Sequence, residues 1–129
     1  MHGNGMMSQG DLNGMKKMDT IYEHSLGAYD KFKDVVRRVS AGANMSGVSM
    51  SVGSALKKMD STHQMLWKDV VKLDNLQVFS RKAEMYQNDM VKKINVMDGH
   101  VIKVMKALEH GKMADLDRIK PVGMSSFTL

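Results

Sequence analysis

The chain has no cysteine, one proline and few aromatic residues, with only 5% Phe, Trp and Tyr. The lack of cysteine excludes a disulfide framework and a thiolate zinc site, although it does not decide the compartment. The one proline, Pro121, sits close to the C-terminal end, so nothing before it forces a helix to break. No stretch approaches the roughly 20 consecutive apolar residues that a membrane span needs. Met1 to Gly10 lacks the basic and apolar regions of a secretory signal. Gly-x-Ser-x-Gly, P-loop and Gly-x-Gly-x-x-Gly motifs are all missing. Nucleophilic and nucleotide chemistry therefore have no motif to stand on, and no catalytic residue, cofactor or small-molecule substrate is expected.

Methionine, by contrast, is abundant, with 15 residues in 129. Met is unbranched and adaptable, fills irregular seams and is well tolerated in helices. The net charge is +5. Basic pairs recur at Lys16 and Lys17, Arg37 and Arg38, Lys57 and Lys58, Arg81 and Lys82, and Lys92 and Lys93, with acidic residues between them, so they form no continuous basic stripe. The length suits one domain or one elongated helical unit with tails.

Periodicity divides the chain into segments. Residues 1–10 are Gly, Asn, Ser and Met without a period and read as a disordered N-terminus. Asp11 is the expected N-cap of a first helix over 11–39, whose slots Met15, Met18, Tyr22, Ser25, Tyr29, Phe32, Val36 and Val39 keep heptad spacing. Residues 40–54 form a small, polar, Gly-, Ser- and Met-rich connector. Ser54 is the expected cap of a second helix with slots Leu56, Met59, His63, Leu66, Val70 and Leu73, and Trp67 beside the seam. Asp74 and Gln77 suggest a capping box, hence a turn at Asp74 and Asn75; one unbroken or kinked helix across 55–110 is the alternative. The last helix carries apolar residues at Leu76, Phe79, Ala83, Tyr86, Met90, Ile94, Met97, Val101, Val104 and Leu108, with a stutter between Met90 and Ile94. Gly111 is the expected stop, followed by a tail over 111–129 in which Met113, Leu116 and Ile119 allow one more short turn. The fold class is all-α: an elongated, hairpin-like helical subunit with a long coiled-coil-type C-terminal helix and flexible termini. A seam this narrow is expected to need other long helices to cover it, from its own chain or from copies.

Other constellations carry less. The five histidines, His2, His24, His63, His100 and His110, show neither zincin nor di-iron spacing, and a structural or surface role is expected for each. Asp60 and His63 share a helix face. Met1, His2, Met6 and Met7 form a soft donor set of the kind that suits Cu(I), although methionines elsewhere occupy packing slots and no metal is expected. Tyr22, Tyr29, Phe32, Phe79 and Tyr86 fall on seams rather than beside the basic pairs, which makes nucleic acid a poor expectation as partner.

The last helix resembles the inner-rod proteins of bacterial type III secretion systems over roughly residues 54–110. The likeness rests on Leu76-Gln77, on Lys82-Ala83-Glu84-Met85-Tyr86, and on Gly99-His100-Val101-Ile102-Lys103-Val104-Met105-Lys106. It implies a non-enzymatic, self-assembling subunit at the base of a needle, exported without a classical signal peptide into the cell-envelope apparatus. Its partners would be copies of itself and other secretion-apparatus proteins, joined through the seam from Leu76 to Leu108. Failing that likeness, a cytoplasmic helical adaptor, a nucleic-acid-binding protein or a Met/His metal-binding bundle is the expected alternative.

Overall fold

A computed structural model describes residues 8–41 and 51–111. These form three helices, α1 (Gln9–Ala41), α2 (Val52–Asp74) and α3 (Arg81–Glu109), with no strand among the described residues. The fold is all-α. Each helix packs on both of the others, so the three form a bundle in which α1 covers the α2–α3 hairpin. Asp69 of α2 meets His24 and Ser25 of α1, His63 of α2 meets Asp98 of α3, and Tyr29 of α1 meets His100 of α3. No described helix is long and apolar enough to cross a membrane.

The core follows the seams. Met18, Tyr22, Tyr29, Phe32 and Val39 from α1 meet Met59, Leu66 and Leu73 from α2 and the run Met90, Ile94, Met97, Val101, Val104 and Leu108 from α3, all buried. Two partners require a wider face than one seam provides. In α2 the row Ala55, Thr62 and Asp69 is also buried, while Leu56, His63 and Val70 are only partly covered. One row serves α1 and the other serves α3, as Asp69 and His63 show by their partners.

Helix boundaries depart from the sequence reading because earlier serines do the capping. α1 begins at Gln9, inside the segment expected to lack structure, because the Ser8 hydroxyl accepts the Asp11 N–H at 3.1 Å. Ser8 rather than Asp11 therefore caps it. α2 starts earlier than expected, with Ser51 as N-cap accepting from the Ser54 N–H at 3.2 Å. The connector loses residues 40 and 41 to α1 and residues 52–54 to α2. Residues 42–50 lie outside the described residues, as do residues 1–7 with Met1, His2, Met6 and Met7, and the tail beyond Gly111 with Met113, Leu116 and Ile119.

The junction between α2 and α3 is a turn. α2 ends at Asp74, and α3 begins only at Arg81, capped by the Ser80 hydroxyl on the Ala83 N–H at 3.1 Å. Leu76 and Phe79 therefore precede α3, and Asp74 ends a helix instead of opening one. Two buried side chains hold this turn. Gln87 of α3 donates to the carbonyls of Leu73 and Leu76, the latter at 2.9 Å, tying the end of α2 and the turn after it to α3. Asp11 of α1 accepts from the N–H groups of Phe79 at 2.9 Å and Ser80 at 2.7 Å. A carboxylate there also suits the positive end of α3. At the other end α3 stops as expected, with His110 as C-cap and Gly111 at φ 69°, a conformation in which a Cβ is strained.

The Asp11 contacts make a testable link to pH. The Phe79 N–H bond is the main cause holding the Asp11 carboxyl below its ordinary 3.8, with burial opposing it and the contacts at Ser80 adding to it. A carboxyl lowered on folding contributes stability above its unfolded pKa and loses it as pH falls through the folded value. Asp11→Asn should therefore lower the melting temperature at pH 7, and the gap from the parent should narrow as pH falls below 3.8. Thermal melts monitored by circular dichroism at pH 7 and pH 3 test this; a gap that does not change with pH contradicts the charged capping role.

Candidate interaction surface

The seam expected to bind neighbouring copies is enclosed within one chain. Ala83, Ile94, Met97 and Val101 are fully buried, and Met90, Val104 and Leu108 are nearly so. Tyr86 is partly buried with its hydroxyl donating to Asp19 of α1, and Leu76 is partly buried in the turn. Phe79 is the exception at 78% exposed, because it lies in the turn before α3 and off the helical face. This corrects the assembly-seam role given to these residues. The cover comes from α1 and α2, and the stripe from Ala83 to Leu108 packs inward.

Polar groups between the helices are paired across the helix junctions. Ser25 is fully buried and donates to Asp69 at 2.6 Å, while His24 lies 2.7 Å from the same carboxylate oxygen. A Ser, an Asp and a His therefore meet, but the serine bonds the carboxylate rather than the imidazole, which is not the order of a Ser-His-Asp triad. His63 pairs with Asp98 at 2.6 Å and not with Asp60 on its own helix, and Tyr29 and His100 lie 2.8 Å apart. Each pair of helices is thus joined by one histidine contact. Rings reinforce the α1–α3 junction, with Phe32 stacked beside Tyr29 at 5.6 Å and edge-on to His100 at 5.4 Å between centroids. Burial, with Asp89 adding to it, pushes the Tyr22 hydroxyl up to about 12. Burial followed by the Asp19 hydrogen bond pushes Tyr86 up to about 12 as well, so both remain protonated near neutral pH. Among the described residues no group of three or more His, Cys, Asp or Glu is placed to hold a metal ion.

Sites open to solvent are of two kinds. An open groove of about 580 Å³ between α1 and α2 is lined by Lys31, Arg37, Arg38 and Lys58 together with Asp30 and Asp34. Its charges are mixed, with Arg37 bonded to Asp34 at 2.7 Å and Asp30 paired with Lys33 at 3.2 Å. The second kind is exposed apolar surface. Trp67 is 60% exposed and Val71, one turn further along α2, is 37% exposed. Met85 and Val96 are similarly open on the outside of α3.

Sequence reasoning placed Trp67 beside the seam and missed this surface. A signal was present: Lys57, Asp60, Gln64, Trp67, Val71 and Asp74 repeat the alternating four- and three-residue spacing of the inner row, and all are exposed. The buried roles of Asp11, Asp69 and Gln87 were also missed, since each is set by a partner far away in sequence. No family model, characterised protein or solved structure matches this chain.

Proposed function

We propose that this protein is a non-enzymatic helical adaptor that works by docking on a protein partner, another copy of itself included, through the outer face of α2. The observation that carries the reading is Trp67, the sole tryptophan, held 60% exposed on a helix whose opposite face is fully engaged in the core. A large aromatic surface in water gains free energy when covered, and Trp is enriched at the energetic centres of protein interfaces. Val71 extends the apolar surface, and Lys68 and Lys72 beside it provide the polar rim such interfaces have. The buried serine, the paired histidines and the mixed-sign groove support a binding rather than a catalytic role.

The rod-subunit reading took its physical argument from a stripe in need of neighbours. With Ala83 to Leu108 covered by α1 and α2, that argument loses its support. The adaptor reading needs only the surface that the closed bundle leaves open.

Photo-crosslinking in the protein's own cell tests the proposal. A photoreactive residue in place of Trp67 should yield adducts of discrete mass, whereas the same residue at the exposed position Glu23 of α1 should yield none of them. Identical patterns from both positions, or no adduct from position 67, would overturn the reading.

A further inference from the structure

We infer that the occupant of the α2 face is a second copy of this chain, docked with its α2 antiparallel to the first. This inference rests on the adaptor reading and names its partner.

The argument comes from how charge is arranged along the exposed row. Lys57 lies near the N-terminal end of α2, Asp74 closes the C-terminal end, and Gln64, Trp67 and Val71 lie between them. Two such rows laid antiparallel about a dyad between Gln64 and Trp67 bring each Lys57 opposite the Asp74 of the other copy, at both ends of the contact. Asp60 then comes opposite Val71 and beside Lys72 of the other copy, and each Trp67 lies against the opposite Gln64. A parallel arrangement would set Lys57 on Lys57, Asp60 on Asp60 and Asp74 on Asp74, which like-charge repulsion disfavours. The face is therefore complementary to itself in one direction only. That is the condition for an isologous, closing dimer.

The size of the contact sets its strength. The 23 residues of α2 span roughly 35 Å at about 1.5 Å per residue. A single helix face of that length buries less than the roughly 1,200 Å² at which stable interfaces begin. The dimer is accordingly weak, filling as the chain concentration rises from about 10 µM toward 1 mM.

Sedimentation velocity over that range, with fluorescence emission of the lone tryptophan read on the same samples, tests the inference. The parent protein should move from the 14.4 kDa monomer toward twice that mass, with emission shifting to the blue as Trp67 is covered. Trp67→Ala should abolish the mass change. Lys57→Glu and Asp74→Lys should each weaken the dimer about 3–10-fold. The double variant should return to within about twofold of the parent, because the opposed charges are restored in exchanged positions. Both exchanges suit the helix dipole, an acid near the N-terminus and a base at the C-terminus, so the fold tolerates them. A parent that stays monomeric with solvent-exposed emission at every concentration overturns the inference, as does a double variant no better than the singles. A monomer that crosslinks to a different protein from position 67 overturns self-pairing alone and leaves the adaptor reading standing. A monomer that crosslinks to nothing from that position removes both.

Discussion

Val101→Asp is expected to abolish the folded state of the isolated chain. Val101 is fully buried on α3, among core residues contributed by all three helices. A carboxylate placed there enters a buried apolar cluster, and burial of an unpaired charge is among the few changes that exceed about 4–5 kcal/mol. That is a large share of the roughly 5–15 kcal/mol by which a domain of this size is stable. The expected readout is loss of the cooperative thermal transition and of most helical circular dichroism, at micromolar and at millimolar protein alike. The same substitution separates the two views of α3. On a polymerising stripe the parent monomer would itself lack a cooperative transition and the substitution would change only assembly; in an enclosed core it removes a transition that the parent monomer has.

Phe32→Ala is the second large effect, with an expected cost of about 3–5 kcal/mol. Phe32 is fully buried where α1 meets α3, stacked on Tyr29 and edge-on to His100. Removing the ring leaves a cavity beside a hydrogen-bonded pair that depends on its packing, so the surroundings cannot simply collapse into the space. Urea unfolding should show a lower midpoint with an unchanged slope. Trp67→Ala is the matched control: an aromatic residue is again deleted, but from an exposed position, and stability should stay within about 0.5 kcal/mol of the parent. Comparable losses from the two variants would mean that Trp67 is part of the core.

The helical periods were legible from the chain alone. The α1 slots Met18, Tyr22, Tyr29, Phe32 and Val39 and the α3 run from Met90 to Leu108 are core as their spacing implies, and Gly111 stops α3 where its left-handed φ requires a residue without Cβ. What spacing could not convey was the width of each buried face. Ala28, Ala55, Thr62, Asp69, Gln87, His100 and Ala107 are buried beside the apolar rows. Because they are small or polar, they look like solvent positions in a hydrophobic pattern. Counted as surface, they make each seam look narrow and in need of outside partners; counted as core, they make faces wide enough to meet two helices of the same chain.

The boundaries misread for a related reason. A local capping box at Asp74 and Gln77 competes with contacts from Asp11 and Gln87, and the remote pair prevails because it satisfies donors and acceptors at both ends of one turn. Trp67 was drawn toward the seam by its hydrophobicity, yet it falls in a second row, and two rows of equal period cannot be ranked by period alone. The candidate surface was thus visible as a pattern but not as an exposed one.

The most direct measurement of enclosure is helical circular dichroism on dilution, recorded together with molar mass by light scattering. A bundle whose α3 stripe is covered by its own α1 and α2 keeps the same helicity per residue and the same cooperative melt from millimolar to submicromolar protein, even while any dimer dissociates. Helicity that drains away as the mass falls to that of a single chain would mean that neighbours, not the chain itself, keep α3 folded.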